Sequence, residues 1–119
     1  MLISILIELI VLVYLTSIGS FLSVGSTKSF YNGTKLYNLC RAENTIDEAL
    51  CEGYILGVQD AIYSGHLSDH FNVCLPEGVE PDQIRLQLIR LIGNNPDIMN
   101  FTAEGLVAKT LETSYACEN

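Results

Sequence analysis

With 119 residues, the chain is long enough for one domain with a modest core. Fourteen acidic side chains against six basic ones give a net charge of −8, and the Lys and Arg residues are scattered singly, which excludes the clustered cationic surface that a phosphate backbone requires. Four cysteines in so short a chain imply a disulfide framework and an oxidising compartment.

Met1 to Leu15 is almost wholly apolar, and small residues follow at Ser17, Gly19, Ser20, Ser23 and Gly25. This is the outline of a signal peptide, with Ser23 and Gly25 at the −3 and −1 positions and cleavage after Gly25. No Lys or Arg precedes the apolar run and Glu8 interrupts it, so the rival reading is an uncleaved anchor over Leu2 to Val24. The expected organisation is a signal peptide over 1–25 and one exported domain over 26–119. Cleavage removes Glu8 alone among the charged residues and moves the net charge from −8 to −7.

The domain opens with an irregular polar lead-in over 26–32. A short first helix over 34–41 places Leu36, Leu39 and Cys40 on one side. A central helix runs from about Ile46 to Gly65, with Thr45 as N-cap and Glu48 completing a capping box. Leu50, Tyr54, Ile55, Val58 and Ile62 form its apolar face, while Ala49, Gly53, Gly57 and Ala61 form a row of small residues four apart. Two glycines inside a helix cost about 1 kcal/mol each, so Gly53 and Gly57 are expected to let another helix pack closely. Gly65 to Asn72 reads as a loop and Cys74 to Val79 as an extended segment. Pro81 opens a third helix with Ile84, Leu88, Leu91 and Ile92 inward and Arg85, Gln87 and Arg90 outward. Gly93 to Pro96 stops it. After a turn around Asp97 to Met99, a fourth helix over 102–115 buries Leu106 or Val107, Leu111 and Tyr115. The fold class is all-α: a small four-helix bundle cross-linked by two disulfides.

Little here points to chemistry. His66 and His70, with Asp69 and Cys74 nearby, have a metal-like spacing, but they fall in a loop and Cys74 is better used in a disulfide. No thiol is left over for nucleophilic catalysis, and no hydrolase or phosphate-binding motif is present. No cofactor and no small-molecule substrate are expected. Asn32-Gly33-Thr34 and Asn100-Phe101-Thr102 match the short glycosylation sequon.

The order of motifs is informative. A helix ends in Leu39-Cys40, the run Cys51-Glu52-Gly53-Tyr54-Ile55-Leu56-Gly57-Val58-Gln59-Asp60-Ala61 follows, and then Cys74-Leu75-Pro76-Glu77-Gly78-Val79-Glu80-Pro81-Asp82-Gln83-Ile84. Asn95-Pro96-Asp97 and a closing Tyr115-Ala116-Cys117 complete the pattern. From about Gly33 to Cys117 the chain resembles the Rap/Tai family of periplasmic immunity proteins. It departs from the usual pattern at Glu80 and Ala116. The resemblance implies a non-enzymatic periplasmic protein that occludes the active site of a peptidoglycan amidase delivered by type VI secretion. Homodimerisation is a further possibility, and an exported envelope protein with a stress or acid-chaperone role is the alternative.

A short hairpin between the first two helices would join Cys40 to Cys51. Antiparallel third and fourth helices would return Cys117 to Cys74, although sequence leaves the other two connectivities open. Partner contacts are expected on two loops, His66 to Asn72 and Gly93 to Asn100, with Asp69, Phe71, Asn95 and Met99 as candidate residues.

Overall fold

The computed structural model describes residues 1–22, 29–64 and 70–118. Helix α1 spans Leu2–Leu22, α2 Gly33–Arg41, α3 Thr45–Tyr63, α4 Pro81–Asn94 and α5 Ala103–Ser114, with a 3-10 turn over Pro96–Asn100 between the last two. The helical domain is therefore the expected four helices, α2 to α5, and α1 is a fifth helix that shares none of their main interfaces. Residues 1–13 of that segment are exposed throughout, and the expected cleavage positions Ser23 and Gly25 lie outside the described residues.

Local chemistry sets the helix ends. The Asn32 side chain accepts the Lys35 N–H at 2.9 Å and starts α2. At α3 the cap is Asn44, not Thr45: its Oδ1 accepts the Asp47 N–H at 2.9 Å while its Nδ2 donates to Asp47 Oδ2 at 2.8 Å. An amide can do both at once, so the helix begins one residue earlier than a Thr45–Glu48 box would allow. Pro81 opens α4, and Gln83 Oε1 accepts the Glu80 N–H at 3.0 Å. Asn95 closes α4 by donating Nδ2 to Leu91 O at 2.8 Å, and Pro96 cannot extend the helix.

The core takes Leu36, Leu39 and Cys40 from α2, Cys51, Ile55 and Ile62 from α3, and Ile84, Leu88 and Ile92 from α4. These pack around α5, whose Leu106, Val107 and Leu111 are all at most 1% exposed. Thr110, also buried, satisfies its hydroxyl on Leu106 O at 2.8 Å. Among the described residues there is no strand, only an isolated bridge between Asn32 and Thr102.

Cys40 pairs with Cys51 and Cys74 with Cys117, at Cα separations of 5.1 and 4.8 Å. The first pairing fixes the rotation of α3. It turns the stripe through Cys51, Ile55 and Ile62 inward, leaves Tyr54 and Val58 half-buried, and swings Leu50, expected inside, out to 50% exposure. The second pairing accompanies the antiparallel arrangement of α4 and α5: Gln87 Nε2 donates to Tyr115 Oη at 3.1 Å near one end, while Leu91 and Asn95 line one hollow with Leu106 and Lys109 near the other. Gln87 is accordingly half-buried, not outward. Cys74 N–H donates to Tyr115 O at 2.7 Å and Leu75 N–H to Tyr63 Oη at 2.6 Å, so this return segment ties the ends of α3 and α5 together.

Candidate functional site

Three carboxylates, Glu48, Glu52 and Asp82, offer oxygens within 4.8 Å of one another. The cation they hold is Arg85. Its Nε donates to Asp82 Oδ1 at 3.0 Å and lies 3.7 Å from Glu52 Oε1, and its Nη2 lies 3.4 Å from Glu48 Oε1. Nη1 donates to Cys40 O at 3.0 Å. The expectation of an outward Arg85 is thus corrected: its side chain is 15% exposed and knots the first turns of α3 and α4 to the end of α2. This cluster is structural, because the guanidinium fork already fills the space a metal would take.

The expected loop residues do not form a projecting set. His66 and Asp69 lie outside the described residues, and Cys74 is committed to its disulfide. Phe71 is half-buried and shares a hollow with Val58, Ile62 and Ala108. Ile98 and Met99 are half-buried against the core, while Asn95 and, in the other loop, His70 are exposed. Met99 is drawn in by Gly33, where an added Cβ would lie 2.7 Å from Met99 O and 2.6 Å from Leu106 Cδ1.

The surface that opens outward is the far side of α3. Ile46, Leu50 and Leu56 are 72, 50 and 40% exposed, and Ala49, Gly53, Gly57 and Ala61 are exposed beside them. Among the described residues the close helix packing expected at Gly53 and Gly57 is absent: a Cβ added at either meets none of their atoms within 4 Å. The reason is again the phase set by Cys51, which points the small-residue row away from the bundle. Gly53, Gly57 and Ala61 instead floor a groove of about 430 Å³ bordered by Tyr54, Val58 and Glu104.

Polar contacts fix the groove's edge. Tyr31 and Tyr54 stack at 5.4 Å between ring centroids. Glu104 Oε2 accepts from Ser29 Oγ at 2.6 Å and from Tyr54 Oη at 3.3 Å. Partial burial works against the Glu104 charge, but the hydrogen bonds from Ser29, its own backbone, Thr102 and Tyr54 outweigh it and hold the carboxyl below its ordinary range. Burial, with the Glu104 charge beside it, pushes the Tyr54 phenol up, so Tyr54 remains a donor. The sequence did carry a sign of this surface: Ile46, Leu50 and Leu56 interleave with Cys51, Ile55 and Ile62, giving α3 two apolar faces of which the core needs only one.

Open apolar relief on a doubly cross-linked acidic domain, with no catalytic constellation among the described residues, is the surface of a small helical binding module. A family profile, that of the Rap1a immunity proteins, matches residues 32–117, from the cap of α2 through the second disulfide, and the chain belongs to that family. No curated protein was found to match it. Membership implies a cognate effector protein as partner.

Proposed function

We propose that this protein is a non-enzymatic immunity protein that binds a peptidoglycan amidase effector and occludes its active-site cleft. The observation that carries this reading is the family match, which takes in all four helices of the domain and both disulfides. The two disulfides also suit an exported protein, and residues 1–25 act in this reading as a leader cleaved after Gly25 to deliver residues 26–119 to the periplasm. Inhibition is steric. A cross-linked bundle loses little conformational freedom on binding, so contacts made at its surface convert efficiently into affinity. The exported domain keeps a net charge of −7 once Glu8 is removed, which favours encounter with an effector whose cleft has a cationic rim. The outer face of α3 is the principal seat, with Leu50 and Leu56 as apolar contacts, and Phe71, which shares a hollow with Val58 and Ile62, borders it; Asp69 and Asn95 are proposed as contacts apart from this face.

The test is to search the adjoining reading frames for a peptidoglycan amidase and titrate the protein into it, with peptidoglycan cleavage as the readout. Stoichiometric loss of cleavage is expected. Full cleavage at saturating protein overturns the amidase reading. Leu50→Asp, at an exposed position, is expected to weaken inhibition about tenfold or more, as loss of an interface anchor does, with the unfolding midpoint unchanged.

A further inference from the structure

The 3-10 turn and the start of α5 enclose a second hollow, distinct from the α3 surface. It measures about 280 Å³ and is lined by Leu91, Asn95, Ile98, Phe101, Leu106 and Lys109. Leu91 and Ile98 are half-buried and Leu106 is 1% exposed, so the walls are apolar. Phe101 stands beside this hollow with 61% of its surface in water. Its backbone is held on both sides: its N–H donates to Ile98 O at 3.0 Å, and its carbonyl accepts the Gly33 N–H at 2.9 Å. The next residue, Thr102, bridges Asn32, and Ala103 N–H donates to Tyr31 O at 3.0 Å. The lead-in to α2 therefore clamps the turn, and the hollow is pre-formed.

Charge marks its rim. Lys109 is exposed, and its ammonium makes no hydrogen bond or ion pair, since every ion pair among the described residues belongs to Arg85. An unpaired cation beside an apolar wall, on an exported domain of net charge −7, is complementary to an acidic group that arrives with an apolar one. At about 280 Å³ the hollow is nearly twice the roughly 150 Å³ cavity that accepts a benzene ring, so it admits one such side chain with a neighbouring carboxylate.

We propose that this hollow is a socket for one apolar anchor of the effector, of leucine or phenylalanine size, presented next to a carboxylate that pairs with Lys109. The proposal rests on the immunity reading and deepens it. The loop over 93–100 acts as a receptor, not a plug, which agrees with the inward turn of Ile98 and Met99. An anchor seated there would be enclosed by Leu91, Ile98 and Phe101. Water excluded around it would strengthen the ion pair at Lys109 relative to one on open surface.

The experiment measures the dissociation constant of the full protein and the amidase effector by calorimetry, together with thermal unfolding. Lys109→Glu and Phe101→Ala are each expected to weaken binding tenfold or more with the unfolding midpoint unchanged, and Lys109→Met by a smaller factor that disappears at high salt. A fourth arm adds 3-phenylpropionate, an aryl carboxylate of the proposed chemistry, which is expected to compete with the effector. Failure of the native protein to bind the effector overturns both the immunity reading and this socket. Native binding with every variant within twofold overturns the socket alone. So does binding of 3-phenylpropionate at the hollow without competition, which would make it a small-molecule site.

Discussion

A methyl group added at Gly57 would meet no atom of the described residues within 4 Å, whereas one added at Gly33 would lie within 3 Å of Leu106 Cδ1 and the Met99 backbone. The two positions should therefore respond in opposite directions. Gly57→Ala is expected to stabilise the domain by about 1 kcal/mol through helix propensity alone. Gly33→Ala is expected to destabilise it by about 1–3 kcal/mol, because neither the Met99 main chain nor the core can yield cheaply. Thermal unfolding of the two variants checks both signs. Glu104 carries a pH signature of its own. Its folded pKa lies below the unfolded value, so the stability it contributes is present above the ordinary glutamate value of 4.5 and is lost as pH falls through the folded value. Glu104→Gln should lower the unfolding midpoint at neutral pH, and the gap from the native protein should close as pH drops below 4.5. A gap that widens on acidification would assign the effect to another group.

At the scale of elements, Arg85 joins three helices through one side chain. Replacing it with alanine leaves Glu48, Glu52 and Asp82 crowded together without their cation and removes a donor from Cys40 O. A loss of about 2–4 kcal/mol is expected, toward the cost of breaking a buried pair since the guanidinium is largely covered. Arg85→Lys should recover only part of it, because an ammonium cannot reproduce the fork. Denaturant titration of both variants measures the difference. What could be read from sequence divides along the same line. Pro81, Asn95-Pro96 and the apolar spacing of α4 act within a few residues, and they marked the helix correctly. The direction of Arg85 depends on α3 lying alongside, and no local pattern encodes it. The Gly53–Gly57 row was misread for a related reason. The cost of glycine in a helix is local and legible, but which way the row points is decided by the Cys40–Cys51 bond. That same bond turned Leu50 and Leu56 into surface.

For the whole molecule, the two disulfides act over different lengths of chain. Cys40–Cys51 closes a separation of 11 residues within the α2–α3 hairpin, and Cys74–Cys117 closes 43 residues and holds α4, the 3-10 turn and α5 in one loop. On chain entropy the first contributes about 3 kcal/mol and the second about 4 kcal/mol. Their consequences for function should differ more than their energies do. Opening Cys40–Cys51 releases the rotation of α3 and hence the outer face on which Leu50 and Leu56 stand. Opening Cys74–Cys117 releases the end of α5 beside Tyr115, remote from the clamp between Gly33 and Phe101 that shapes the socket. The double variant Cys40→Ala/Cys51→Ala is therefore expected to lose effector affinity even at a temperature where it remains folded. Cys74→Ala/Cys117→Ala, under the same condition, should lose more stability and keep most of its affinity. Paired calorimetry and circular dichroism on the two double variants check this. Equal loss of affinity in both would mean that the interface depends on overall rigidity, not on the setting of α3.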